Sequence, residues 1–233
     1  MEYVYDILIQ MGIEESFLKS IPYFTGLRPE EIDSVRKLFF ERKVERGDII
    51  VFEGDPPEAL YFVGSGAVKI FRTSAEGKEQ ILNIARPGDS FNDVPVLDGG
   101  PNPASAQAMG LVTLYGISRQ DLDDLLRKYP RLAVSIASVL AAQVRHLVAL
   151  VDDLSFRPVV GRVARILLEY GGDGTSHGQR LTQQDMAAIV GTAREVVSRS
   201  LQSLQSEGVI KIDRHRIVVT DKEALGSIAG VAA

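Results

Sequence analysis

Between residues 181 and 204, apolar positions recur at helical intervals of three and four, and the pattern breaks once. Met186, Ile189 and Val190 give the first segment one apolar face, and Val197, Leu201 and Leu204 give the second another. Gly191 stands at the break, where a chain turning between two helices needs φ > 0. Thr182 is placed to cap the first helix. Thr192 with Glu195 three residues later has the sequence of a capping box, so the second helix is predicted to start there. Arg194, Glu195, Ser198 and Arg199 then fall opposite the apolar face, near that helix's N-terminus.

Upstream the pattern differs. Residues 1–38 read as helical, ending near Phe39–Arg42. From 43 to 118 short β-rich runs (DIIVFEGD, ALYFVGSGAVKIFR, EQILNIARPGD, VTLYGIS) alternate with Gly- and Pro-containing turns, which predicts a barrel or sandwich. Gly88-Asp89-Ser90-Phe91 resembles a phosphate-cradling turn, but a β-roll corner needs the same residues and is the preferred reading. Residues 119–128 form a short helix, and Pro130 sits near the start of a long one running to about Phe156.

In the long helix Ile136, Leu140, Leu147, Leu150 and Leu154 form a stripe that Val139, Val144 and Val151 widen. A long helix apolar over more than one face needs a partner, and a parallel coiled coil with a second copy would supply it. Arg145 would pair there with Asp152 or Asp153. A hinge is expected at Phe156 to Pro158, because Pro158 suits the first turn of a new helix. A flexible Gly171–Gly178 loop, a hairpin in GVIKIDRHRIVV turning near Asp213–His215, and a short helix or frayed end in LGSIAGVAA complete the chain. The expected class is α+β, with N-terminal helices and a β-rich barrel or sandwich (1–129), a dimerisation helix and hinge (130–157), and a winged helix-turn-helix (158–233).

Composition narrows the function. Hydrophobic residues make up 45% and charged residues 24%, an ordinary globular balance. No uninterrupted run of about 18 apolar residues predicts a membrane span, and the acidic N-terminus does not read as a signal peptide; the cytoplasm is the expected location. The absence of cysteine excludes disulfides, thiolate metal sites and cysteine-ligated iron–sulfur clusters. His146, His177 and His215 are too scattered for a zinc site, and no metal is expected. HExxH, Walker and GxSxG motifs are all missing, so no enzyme is expected. The net charge of −5 is unevenly spread: residues 1–157 carry −6 and residues 158–220 carry +2. Local field, not total charge, governs phosphate contact. Arg194, Glu195, Ser198 and Arg199 are therefore candidate base readers of double-stranded DNA, since Arg pairs with guanine and Glu accepts from cytosine N4. Arg180, Thr182 and Gln183 are candidate phosphate contacts.

The stretches GDIIVFEGDPPEALYFVGSGAVKIF, EGKEQILNIARPGDSF and T-x-x-D-M-A-x-I-V-G-x-x-R-E-x-x-S-R occur in this order. Together they resemble the Crp/Fnr family of bacterial transcription regulators, over roughly residues 20 to 220. The resemblance implies that the domain over 1–129 is a β-roll sensor like a cyclic-nucleotide-binding jelly roll, and it implies a homodimer on inverted-repeat operators and contact with RNA polymerase. Arg194, Glu195 and Arg199 match the readers of the cyclic-AMP receptor type, and Glu195, Ser198 and Arg199 those of the fumarate–nitrate type. The implied half-sites are like TGTGA or TTGA, with no choice between them. In the cyclic-nucleotide branch a G-E-L Glu holds the ribose and an R-S-A or R-T-A Arg neutralises the phosphate. Here Asp93 occupies the Glu position, Pro103 the Arg and Ala104 the Ser. A buried phosphate without a cation would cost several kcal/mol, so cyclic AMP is not the expected effector. Asn83, Arg86, Asn92, Asp93, Asn102, Ala104, Arg145 and His146 are candidate linings of an effector pocket, each with an ordinary structural alternative. His146 also makes haem a candidate for NO or CO sensing. Two further alternatives are an effector-independent regulator controlled by abundance and a regulatory subunit that binds no DNA.

Overall fold

A computed structural model describes residues 13–170, 181–213 and 216–230. The expectations placed on residues 1–12, the Gly171–Gly178 loop with His177, Arg180, the hairpin tip at Arg214 and His215, and the last three residues lie outside the described residues. The chain divides into two compact units, Met1–Arg72 with Asn83–His146 and Thr73–Leu82 with Leu147–Ala233.

The first part opens with α1 (Glu15–Ser20), a 3-10 turn (Pro22–Phe24) and α2 (Pro29–Arg36). Eight strands follow: β1 (Phe39–Val44), β2 (Ile49–Val51), β3 (Ala59–Ser65), β4 (Val68–Thr73), β5 (Glu79–Ala85), β6 (Ser90–Phe91), β7 (Ser105–Ala108) and β8 (Val112–Ser118). A short helix, α3 (Asp93–Asp98), lies between β6 and β7, and α4 (Arg119–Lys128) leads to the long α5 (Leu132–Phe156). The strands form two four-stranded sheets, β1-β8-β3-β6 and β2-β7-β4-β5, a jelly-roll arrangement. β3 is buried on both faces, which explains its unbroken apolar run: Ala59, Tyr61 and Val63 face the roll's interior, while Leu60 and Phe62 face the helices. Val68, Phe91, Ala106, Val112 and Leu114 help to fill the interior.

Two boundaries differ from expectation. The chain turns to strand at Phe39, where a helix end was predicted. Glu41, Arg42 and Lys43 give β1 a charged, helix-like surface, but its pairing with β8 decides. Phe40 lies opposite Gly116 in that register, and a Cβ on Gly116 would collide with its ring. The second difference is α3, hidden in a Pro-containing segment; Gly99 ends it with φ 79°.

The other unit contains α6 (Val159–Tyr170), α7 (Gln183–Val190), α8 (Arg194–Ser206), the antiparallel hairpin β9 (Ile210–Asp213) and β10 (Arg216–Val219), and α9 (Lys222–Ile228). Val163, Ile166, Leu167, Val190, Val197, Leu201, Leu204, Ile210 and Leu225 belong to one core. The expected hinge is an arginine-stitched corner. The Arg162 guanidinium donates to the carbonyls of Asp153, Leu154 and Arg157 at 3.1–3.2 Å, satisfying the C-terminus of α5. Arg157 and Arg165 both pair with the Asp153 carboxylate, and Arg157 also donates to the carbonyl of Ala229.

Candidate nucleic-acid interface and sensor site

The helix-turn-helix is fixed by local chemistry. Thr182 caps α7 as expected: its hydroxyl accepts from the Asp185 amide (3.1 Å), and the Asp185 carboxylate accepts from the Thr182 amide (2.9 Å). This hydroxyl also donates to Asp185, so it is committed to the cap rather than free for a phosphate. Gln183 begins α7 and is partly exposed. Gly191 ends that helix with φ 70°. The carbonyls at this end are met from the Thr73–Leu82 segment of the same unit, where Gln80 donates to Ile189 O (3.1 Å) and Lys78 to Gly191 O (3.2 Å).

The second predicted capping box is corrected. The Thr192 amide donates to Ala187 O, within the turn that closes α7. Ala193 therefore takes the extended N-cap conformation, and no side chain caps α8. On α8, Val197, Leu201 and Leu204 are buried, while Arg194, Glu195 and Arg199 are exposed and Ser198 is partly so. Among the described residues these four side chains make no ion pair and no hydrogen bond. Sequence reasoning did not single out Lys211 and Arg216, which are exposed on β9 and β10 while Ile212 and Ile217 pack on the core. The alternation in IKID and RIVV was the available signal.

The sensor residues occupy varied positions. Asp93 is 4% exposed. Its carboxylate accepts from the Tyr23 hydroxyl, from Ser90 Oγ (2.7 Å) and from Gln143 Nε2 of α5 (3.1 Å). None of these donors is a cation. Burial, reinforced by the Asp93 charge, holds the Tyr23 hydroxyl far above its ordinary pKa, so it remains a donor. Asn92 adopts φ 67° and donates to Ala59 O (3.0 Å). Asn102 is buried and ties the loop after β2 through Phe52 O (3.0 Å), and Ala104, two residues on, is buried as well. Asn83 is partly buried on β5. At Arg86 the backbone amide is bound by Asp89 Oδ2 (2.9 Å), which makes Gly88–Phe91 the expected corner. Arg145 and His146 are exposed on α5. Asp153 is taken by Arg157 and Arg165, which removes it as a partner for Arg145. Among the described residues, no cluster of three metal-ligating side chains occurs.

The residues of the expected dimer stripe are divided between core and surface. Ile136 is 5% exposed and belongs to the core, against which Val139 and Leu140 also pack. Leu150 and Leu154 are partly buried, and Leu147 is exposed. The uncovered line on α5 is Val134, Ala137, Ala141, Val144, Val148, Val151 and Ser155, all exposed. Its alternating steps of three and four are those of a coiled-coil seam. Although no uninterrupted apolar run occurs there, α5 is also the one described helix long and apolar enough, by length and composition, to cross a membrane.

Comparison with known proteins gives two domain matches: a cyclic nucleotide-binding domain over residues 41–129 and a Crp-like helix-turn-helix domain over residues 161–228. The chain is 36% identical to the cyclic AMP receptor protein of Thermus thermophilus, over 91% of this chain and 98% of that one. It is 32% identical to a CRP-like cAMP-activated global transcriptional regulator of Mycobacterium tuberculosis, over 87% and 93% of the two chains. Among solved structures, FixK2 from Bradyrhizobium japonicum superposes with a TM-score of 0.72 at 25% identity, covering 83% of this chain and 98% of that one.

Proposed function

The chain belongs to the Crp/Fnr family of DNA-binding transcription regulators, and from that premise we propose that it acts as a cytoplasmic homodimer reading inverted-repeat operators without cyclic AMP as its effector. The observation that carries the reading role is the outward face of α8. Arg194, Glu195, Ser198 and Arg199 stand on a helix anchored by its buried face, and nothing described in the chain occupies them. Arg194 and Arg199 have the donors for guanine O6 and N7, and Glu195 the acceptor for cytosine N4. Lys211 and Arg216 on the hairpin supply phosphate contacts, which set register without reading sequence. Two such readers engage successive major grooves about 34 Å apart, with α5 as the dimer element. RNA polymerase is the further partner the family implies.

Nucleotide independence rests on the Asp93 cluster. In the relatives named for cyclic AMP, the nucleotide is part of the name; in this chain residues 100–107 contain no arginine to neutralise a cyclic phosphate. The carboxylate expected to hold a ribose is already served by Tyr23, Ser90 and Gln143. A nucleotide entering there would break these hydrogen bonds and bury an unpaired anion.

The test is fluorescence anisotropy of the full chain, at fixed salt, on a pool of inverted-repeat half-sites, with and without cyclic AMP. Selective binding, identical in the two conditions, is expected. Binding that appears or tightens severalfold with cyclic AMP would overturn the effector reading. Binding that never distinguishes an inverted repeat from random duplex would overturn the operator reading.

A further inference from the structure

Beyond the four expected readers, Gln202 of α8 has base-reading chemistry in line with them and nearest to them. Gln202 is exposed, four residues after Ser198 and three after Arg199. It therefore stands over the gap between those two, one turn further along the same face. Leu201 and Leu204, on the opposite face, are buried and fix the helix's rotation. The neighbouring serines are spoken for, and Gln205, also exposed, lies nearly a turn further towards the C-terminal end of the helix. Ser203 Oγ donates to Glu207 Oε1 (3.0 Å), Ser206 Oγ donates to Ser203 O (2.8 Å), and Ser200 is buried and donates to Val196 O (2.9 Å). The Gln202 amide makes no hydrogen bond among the described residues.

The geometry points to Gln202 as a specificity-determining residue that reads adenine next to the base pair taken by Arg199. A glutamine amide presents one donor and one acceptor in the spacing that matches adenine N7 and N6 in the major groove, a pairing no other base edge offers equally. Three residues of helix advance about 4.5 Å along the axis, against about 3.4 Å per base pair, so the reach is one base pair or slightly more. This inference rests on the reading role of α8. It adds to it a defined extension of the half-site: one A·T pair contributed by a neutral side chain, with no dependence on salt of its own.

The test is selection of operators from a randomised inverted-repeat pool by full-length wild type, Gln202→Ala and Gln202→Arg, with thermal unfolding of each as a fold control. Wild type should enrich adenine at one position adjacent to the guanine whose preference Arg199→Ala abolishes. Gln202→Ala should flatten that position alone, by roughly 5- to 150-fold in relative affinity, and Gln202→Arg should move it towards guanine. An unchanged preference in Gln202→Ala, or a loss equal on all sequences as for a phosphate contact, would overturn the assignment while leaving the operator reading intact. If wild type enriches no inverted repeat, both fall together.

Discussion

Glu31 shows how a single carboxylate can hold the first unit's helices. Its side chain is buried, yet it meets the Arg131 guanidinium from the start of the α5 segment and both the backbone amide and guanidinium of Arg28 at 2.8–2.9 Å. The Arg131 hydrogen bond first, and Arg28 second, hold this carboxyl at about 2, well below the usual carboxylate range. A depressed carboxyl stabilises the fold fully above its unfolded pKa, and this contribution disappears as pH falls through the folded one. Glu31→Gln should therefore melt at a lower temperature than wild type from pH 5 to 8, and the gap should close between about pH 4.5 and 2. Parallel melting curves across that acid range, measured by circular dichroism, would contradict the assignment. The same scale separates what is locally legible from what is not. Thr182 could be recognised as a cap because its partner Asp185 is three residues away. The fate of Asp93 could not, because Tyr23 and Gln143 lie 70 and 50 residues distant. The misplaced box at Thr192 has an intermediate cause: after Gly191 the chain needs one more residue to close the turn, and the N-cap passes to Ala193.

At the scale of elements, periodicity identified those whose buried face is uniform and failed where an edge or a second partner intervenes. Helices α4, α5, α7 and α8 follow apolar spacing that any neighbour would bury. β7 is only four residues, SAQA, without a β-branched side chain, so pairing with β2 and β4 rather than propensity makes it a strand. The stripe expected on α5 mixes core and exposed positions. Ile136, Val139 and Leu140 pack towards their own unit, while Leu147 stands exposed with the valines and alanines of the uncovered side. A periodic pattern gives the faces of a helix, not which of two apolar faces belongs to which partner. The turn joining α7 to α8 yields a sharper expectation. Gly191 has φ 70°, and a Cβ there would lie 2.7 Å from Leu154 Cδ2 and 2.8 Å from Gln80 Oε1. Gly208, which ends the reading helix's following turn, has φ 77° with nothing within 4 Å. Gly208→Ala should cost about 1–2 kcal/mol through its backbone alone. Gly191→Ala should cost more than this in a denaturant titration and should also weaken operator binding by re-aiming α8. Equal losses for the two variants would mean that the contacts around Gly191 impose nothing.

For the molecule as a whole, the question is why a chain of net charge −5 exposes so apolar a helix. Val144, Val148 and Val151 are each about 60% exposed, and seven positions from Val134 to Ser155 keep the three-four alternation of a supercoil seam. The proposed homodimer supplies an occupant for that geometry, the same helix of a second copy. In a parallel arrangement small alanines at 137 and 141 permit close approach, while Arg145 and Asp152 flank the seam. Val144→Asp with Val148→Asp places two carboxylates in it, opposite two more from the partner, with the repulsion unscreened in a dry seam. Light scattering should then return the mass of one 25.5 kDa chain where wild type returns two. Neither residue packs in the core of its own chain, so the melting of the β-roll should persist. The consequence for DNA follows from linkage rather than from any lost base contact. A monomer offers one reader, and the second half-site no longer benefits from the effective concentration that the dimer confers. Affinity for an inverted repeat should fall by about 10²–10⁴-fold, while affinity for a single half-site stays unchanged. A double variant that remains dimeric would move the interface off this helix. One that is monomeric but still binds the full operator at wild-type strength would mean that each chain reads its DNA alone.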